Sequence, residues 1–556
     1  MKVVIVGAVA AGMSAATRLR RLDESAQIVV LEAGDHVSFA NCGLPYYVGG
    51  VIEERSALLL QTPQSLHARF DLDVRVRSRV IDVDPADRTV TVLTADGEQY
   101  LEDYDHLILS PGARPIVPDV PGAERALVLR DVADVDRMAA ATADARTAVV
   151  IGAGFVGLEV AENLRHRGID VTVVELAPQV LGALDPEMAV RVQDRLVRNG
   201  VRVITSAQVT AIGEATADVA GPTGTQTVPA DLVVASIGVT PDSTLAAAAG
   251  ADLGPRGAIL VDEDMRTSVP GIYAVGDAAA KRDAFGDGPT LIPLANLANR
   301  HGRRVADVIA GMPGRGRPSI GTAVVGVFGL TAAVTGRTER RLRAEGRDYR
   351  AIHSHPMDHA GYYPGATQMT LKLLVDPSTD AILGAQGVGE AGVDKRIDII
   401  ATAIAGGITA SELADLELAY APAYGSAKDP INMLGYVAEN AAAGTTPSVQ
   451  WHELASAGDE APVVLDVRTA AEHARGTVVP PWGDAPVNIA VDDLRERHGE
   501  LPRDRRIVVH CQVGQRGHTA TRLLRQLGYD AANLDGGYLT WRDGIRTLEQ
   551  AAASAV

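Results

Sequence analysis

Cysteine is nearly missing from this chain: 556 residues hold only Cys42 and Cys511. Two thiols cannot build a disulfide framework or a cysteine-rich metal site within one chain. In an acidic protein their isolation points to a reducing compartment, the cytoplasm, and to catalysis. An excess of positive charge is missing too. Lys and Arg number 52 against 70 Asp and Glu, a formal net charge of −18, which argues against a nucleic-acid partner. Long hydrophobic runs are also scarce. Residues 318–336 (PSIGTAVVGVFGLTAAVTG) are uncharged over nearly a membrane span. They carry four Gly, three Thr, a Ser and a Pro, so short buried strands joined by turns are expected there and no membrane partner. The first 17 residues resemble a signal peptide in composition. The downstream apolar run IVVLE favours a strand, a glycine turn and a helix instead.

What is present is ample for folding. Hydrophobic residues make up 46% of the chain and charged ones 22%, with a mean hydropathy of +0.06. The length suits about three to five domains, and the Gly and Pro residues are scattered rather than periodic, which excludes fibrous and disordered classes. The opening KVVIVG reads as a strand, followed by Gly7, Gly12 and a helical stretch. The second apolar run, IVVLE, ends on Glu32. This is the layout of a dinucleotide-binding βαβ unit, although the middle glycine of GxGxxG is absent. The same grammar returns with all three glycines, Gly152, Gly154 and Gly157, and a strand ending on Glu175. Two such units imply two dinucleotides, as when a flavin and a nicotinamide share one enzyme. Glu32 and Glu175 are candidates for bonding ribose hydroxyls. No Arg follows Glu175, so NADH is favoured, with NADPH as the alternative. Asp277 follows a strand and a glycine in GIYAVGDAA and resembles the aspartate that contacts a flavin ribityl chain.

Each cysteine sits in a loop suited to sulfur chemistry. Cys42 (SFANCGLPYY) precedes a helical turn, whose N-terminus is expected to lower its pKa. With Tyr46 and Tyr47 where a second cysteine would stand, an internal dithiol is excluded. The thiol must cycle through a mixed disulfide, a persulfide or a sulfenic acid. Cys511 opens the loop CQVGQR between a strand and a helix, where backbone N–H groups and Arg516 would stabilise a persulfide anion. His353, His355 and His359 (HSHPMDH) have no adjacent cysteine or fourth ligand. They are read as solvent-facing or interface residues, and no metal site is assigned.

With these motifs, the chain from 1 to about 440 resembles the single-cysteine flavoprotein disulfide reductases, specifically the coenzyme A-disulfide reductases. The matching segments are SFANCGLPYYVGG, SPGARP, VELAPQVL, GIYAVGDA, LANLANRHG, HAGYYPGA and YAPAYGSAKDPINM. Residues 449–556 resemble a rhodanese domain through LDVR, CQVGQRG and DGGYLTW. The combination is similar to the reductase–rhodanese fusions also described as NADH-dependent persulfide or polysulfide reductases. The family shares Val at position 9 and usually has glycine where Ala11 stands.

The resemblance implies an α/β protein in four parts: an FAD-binding domain (1–112 and 242–320), an NAD(P)H-binding domain (113–241), an α+β dimerisation domain (321–440) and, after a linker (441–448), a rhodanese domain (449–556). The first two are Rossmann-like. It implies a homodimer that reduces coenzyme A disulfide, coenzyme A persulfide or polysulfide at Cys42, with Tyr362 and Tyr420 of the partner subunit as acids. Ser14, Arg18, Arg21, Ser38, Asn41, Arg300 and Lys428 match the family's substrate contacts, which makes coenzyme A a candidate bound ligand. Cys511 would carry sulfane sulfur and exchange it with a thiol carrier. Two alternatives remain open. One is an NADH oxidase or peroxidase with a sulfur-carrier tail, although that group has a His where this chain has Ala10. The other is a sulfur-delivery or sensor module.

Overall fold

The alternation of side chains in the opening run decides the first sheet. In the computed structural model, β1 (Lys2–Val6) sends Val3 and Ile5 into one core and Val4 and Val6 into another. A strand buried on both faces is the mark of a parallel sheet covered on both sides. The structure describes residues 1–286, 288–458, 461–483 and 485–555. They form two compact units, Met1–Val174 with Gln208–Ala220 and Thr225–Gly321, and Glu175–Ala207 with Gly221–Gly224 and Thr322–Val556.

In the first unit β1 leads through α1 (Ala10–Leu22) to β2 (Gln27–Leu31). The sheet is completed by β3 (Asp73–Arg75), β4 (His106–Leu109) and β8 (Ile272–Ala274), in the parallel order β8-β4-β1-β2-β3. Register puts Val3 opposite Ile28 and His106. Ala15, Ala16 and Leu19 of α1 and Val305 of α5 (Ala295–Ile309) cover one face. The second nucleotide motif is built likewise: β5 (Thr147–Ile151), α3 (Phe155–His166) and β6 (Asp170–Val174), with β7 (Leu232–Ala235) parallel on the other side of β5.

The second unit begins with α4 (Pro186–Arg198). Its antiparallel sheet has the order β9-β10-β13-β12-β11, formed by β9 (Ala323–Val327), β10 (Leu330–Gly336), β11 (Arg350–Ser354), β12 (Thr370–Val375) and β13 (Ile382–Gly389). The uncharged run 318–336 thus folds as a hairpin. Ile397 and Ile400 of α6 (Val393–Gly406), with Ile431 and Leu434 of α7 (Pro430–Ala442), pack on Leu371 and Leu373. A parallel sheet follows, β14-β18-β17-β15-β16, from β14 (Ser448–Val449), β15 (Val463–Asp466), β16 (Val487–Asn488), β17 (Ile507–His510) and β18 (Ala531–Leu534). Ala520 and Leu524 of α8 (Gln515–Gln526) cover one face, and Trp451 with Trp541 of α9 (Gly537–Ala555) the other. Among the described residues no helix is long and apolar enough to cross a membrane.

Candidate active sites

The first glycine turn is shaped for close approach. Gly7 has φ +100°, and a Cβ at Gly12 would lie 1.9 Å from the Gly7 carbonyl oxygen. Helix α1 therefore starts hard against the end of β1, with its first amides pointing out of the turn. Glu32 is fixed there: its Oε2 accepts from the Ala8 N–H at 2.8 Å and its Oε1 from Gly34 at 2.8 Å. This is an oriented carboxylate rather than a loose strand end. Asp277 lies in a short turn after β8, where Gly276 takes φ +77°. Burial pushes its carboxyl pKa up, with Lys281 and Arg130 opposing. Its Oδ1 is buried without a hydrogen-bond partner among the described residues. An orphaned acceptor beside a glycine cradle fits a hydroxylated cofactor chain such as the flavin ribityl group.

In the second motif, Gly152 has φ +98° and a Cβ at Gly157 would lie 2.1 Å from the Gly152 carbonyl oxygen. A Cβ at Gly154 would meet nothing within 4 Å. Gly152 and Gly157 thus keep the backbone tightly packed to shape the turn, and Gly154 faces open space, the shape a pyrophosphate contact requires. Glu175 follows β6 directly, and its Oε1 accepts from the Ala177 N–H at 2.8 Å.

Cys42 is exposed, in the short turn Asn41–Gly43 ahead of α2 (Leu44–Gly49). The expected lowering of its pKa is not found. Burial, then Glu159 and Asp277, push the thiol up. A six-residue helix offers little dipole, and burial together with the two carboxylates outweighs it. The residues expected at a substrate site are spread over both units. Ser38 takes φ +48° and bonds the Ala8 carbonyl through its N–H, while Asn41 adjoins the thiol. On α1, Ser14 donates to Asn299 at 2.6 Å, Arg18 pairs with Asp307 at 2.7 Å, and Arg21 is exposed. Arg300 is exposed on α5. Lys428, in the second unit, is exposed as well. The phenols of Tyr362 and Tyr420, also exposed in the second unit, hydrogen-bond to each other at 3.0 Å.

Two residues near Cys42 or Asp277 carry no signal strong enough to stand out in the sequence. Glu159 on α3 is pushed up by burial and accepts from the Tyr46 hydroxyl at 3.3 Å. Lys281 is buried, donates to the Gly276 carbonyl at 2.9 Å, and is brought down to about 8 by desolvation. The spacing of Asp277 and Lys281 in GDAAAK was the one available signal for the latter. Nothing in the helical pattern set Glu159 apart.

Cys511 is buried at the end of β17, and Gly514, with φ +91°, opens α8. Arg516 forks onto Glu472 at 2.8 and 2.6 Å. Glu472, followed by Cys511, raises the guanidinium pKa. One residue joins the three rhodanese-like segments. Arg468 pairs with Asp466 at 2.8 Å, donates to Gln512 at 3.0 Å, and lies 4.7 Å from the Tyr538 ring centroid. LDVR, CQVGQRG and DGGYLTW are therefore one assembly.

The histidines were expected to face solvent or an interface, and burial corrects the first option. His353 is held by Asp535 at 2.6 Å and Glu187 at 3.1 Å, His355 by Thr370 at 2.9 Å and Thr540 at 2.8 Å, and His359 by Asp358 at 2.7 Å. Nearby, Asp185, Glu187 and Glu339 converge in a manner that would suit a cation. The Lys372 ammonium fills that place, ion-paired to all three.

The pyridine nucleotide-disulphide oxidoreductase family model matches residues 1–302. The chain belongs to that family. Its dimerisation-domain model matches 322–429, and a rhodanese-like domain matches 449–543. The coenzyme A disulfide reductase of Staphylococcus aureus (strain JH9) is 35% identical over 445 residues, 79% of this chain and 100% of that protein. The reduced Bacillus anthracis CoADR-RHD structure superposes with a TM-score of 0.95 at 44% identity, covering 98% of each chain. An NAD-dependent persulfide reductase from A. fulgidus gives 0.89 at 37%, covering 97% of this chain and 100% of that one. This oxidoreductase is a flavoprotein that uses FAD and NAD(H), fused to a rhodanese domain.

Proposed function

We propose that the enzyme reduces coenzyme A disulfide, coenzyme A persulfide or polysulfide at Cys42, as a cytoplasmic homodimer, and that Cys511 handles the sulfane sulfur. The observation that carries this reading is the placement of Cys42: an exposed thiol in the electrostatic reach of Asp277, whose orphaned carboxylate fits a flavin. Gly7, Gly12, Glu32 and Asp277 would hold FAD, and Gly152, Gly154, Gly157 and Glu175 the nicotinamide nucleotide. The bound flavin supplies two electrons from NADH to the sulfur bonded to Cys42.

The chain's own residues do the rest. The Cys42 thiolate attacks one sulfur of the substrate, forming a mixed disulfide and releasing a thiolate. Tyr362 and Tyr420 of a partner copy would protonate that leaving group. Arg18, Arg21, Arg300 and Lys428 would bind the phosphates of coenzyme A, with Ser14, Ser38 and Asn41 contacting the remainder. At Cys511 the thiolate attacks the outer sulfur of a persulfide donor, whose thiolate leaves, and Arg516 balances the charge of the resulting persulfide until a carrier thiolate attacks that sulfur and frees Cys511.

The test compares NADH oxidation with the three sulfur substrates and with oxygen. Turnover with at least one sulfur substrate, lost in Cys42→Ser, supports the reading. Rapid oxygen consumption without any sulfur substrate overturns it in favour of an oxidase.

A further inference from the structure

In a chain of net charge −18, five arginines gather round one cavity. Along α4, Arg191, Arg195 and Arg198 occupy positions i, i+4 and i+7, a single helix face. Arg542 and Arg546 stand four residues apart on α9. All five line a cavity of about 660 Å³, a volume typical of small-molecule sites.

Like charges four residues apart on a helix repel and destabilise it. Acidic neighbours offset only part of this: Asp543 lies 2.7 Å from Arg191, while Arg195 pairs with Glu390 and Arg546 with Asp194. Five guanidiniums against three carboxylates leave two positive charges over. The deepest of the five is also the least satisfied. The Arg191 side chain is only 20% exposed, and its Nε is buried without a hydrogen-bond partner among the described residues. Burial lowers its pKa against the opposing charge of Asp543, and Arg542 adds to the lowering. An anion entering the cavity would relieve both costs. Guanidinium forks match phosphate oxygens in pairs, and several forks around one space suit several phosphates.

We propose that this cavity is a second anion site, binding a multiply phosphorylated small molecule of pyrophosphate or nucleotide class. It is distinct from the glycine cradles and independent of the roles given to Cys42 and Cys511. The remaining polar lining, Thr367 and Gln368, offers hydrogen bonds to the uncharged part of such a ligand.

The experiment is titration calorimetry on the full-length holoenzyme with inorganic pyrophosphate and, separately, with ADP. The comparison variant is Arg198→Glu/Arg542→Glu, at two exposed positions, and the milder Arg198→Gln/Arg542→Gln guards against a folding defect. The expected result is a salt-sensitive binding event, for ADP additional to its binding at the nucleotide and coenzyme A sites, that weakens at least about tenfold in both variants, with thermal midpoints unchanged. Equal loss for both probes identifies a free polyphosphate site, and tighter ADP binding that is lost in the variants identifies a nucleotide site. The proposal is overturned if the holoenzyme binds neither probe, or if the folded variants bind both as tightly as the parent.

Discussion

Asp535 grips His353 twice: its carboxylate accepts the backbone N–H at 3.0 Å and the ring Nδ1 at 2.6 Å. The ring's other nitrogen faces Glu187 at 3.1 Å, and the side chains of all three are buried. Asp535 immediately precedes Gly536 and Gly537, and the Tyr538 N–H bonds the Cys511 carbonyl at 2.8 Å. The strand carrying His353 is thereby tied to the loop that presents the second thiol.

This pair makes stability depend on pH in a definite direction. Burial alone would depress the ring, but Asp535 and Glu187 outweigh it and raise its pKa to about 9. The stabilisation is complete below the unfolded value near 6.5 and is lost as pH rises through 9. Replacing Asp535 by Asn should cost about 3–5 kcal/mol at pH 6, the usual result of breaking a buried pair, and much less at about pH 9.5. Thermal melts at the two pH values check this. An equal loss at both would mean that His353 keeps one charge state between them and that its titration does not set the pH dependence.

Lys372 poses a harsher version of the same problem. Its side chain is fully buried, and the three carboxylates around it hold it protonated despite desolvation. Lys372→Met should leave three buried acids facing one another and destabilise the fold by about 3–5 kcal/mol or more. Soluble expression and the denaturant midpoint report the outcome. A variant as stable as the parent would show that those acids take up protons at little cost.

The glycine motifs separate packing from binding. Gly12→Ala would place a methyl group 1.9 Å from a backbone oxygen, so the FAD unit should lose flavin absorbance and thermal stability together. Gly154→Ala meets no protein atom within 4 Å. It should fold and keep its flavin, yet raise the KM for NADH by about tenfold or more, because the methyl group occupies the space a pyrophosphate needs. Flavin content and steady-state kinetics of both variants decide the matter.

What was readable in the sequence was local. Strand, glycine turn, helix and terminal acid succeed one another within a few dozen residues, so the second nucleotide motif and the Cys511 loop showed themselves by spacing, while the first, lacking its middle glycine, needed the family resemblance. Residues that work through distant partners did not. Arg468 looks like an ordinary charged residue in LDVR, yet it unites segments 44 and 70 positions away. His353 and His355 read as surface residues because their partners, Asp535 and Thr540, come more than 180 residues later. The Cys42 prediction failed for a related reason: the short helix was visible, and the burial of the thiol and the opposing charges of Glu159 and Asp277 were not.

That carboxylate can be tested directly. Removing its charge in Glu159→Gln should lower the Cys42 pKa and speed alkylation by iodoacetamide several-fold near neutral pH, because the thiolate is the reactive form. The rate profile against pH should shift to lower values without changing its plateau. An unchanged profile would show that burial and Asp277 raise the thiol without Glu159.

The two cysteines make the last prediction. Cys42→Ser should abolish NADH-dependent turnover with every sulfur substrate while leaving flavin content intact, because the serine hydroxyl cannot form the mixed disulfide. Cys511→Ser should leave coenzyme A disulfide reduction near the parental rate, since that substrate needs no sulfane transfer. With polysulfide the same variant should lose at least about tenfold, if sulfur enters at Cys511 and electrons at Cys42. Parallel assays of sulfide release and NADH oxidation separate the two steps. Full polysulfide turnover in Cys511→Ser would mean that the two thiols work independently, with the rhodanese domain serving another acceptor.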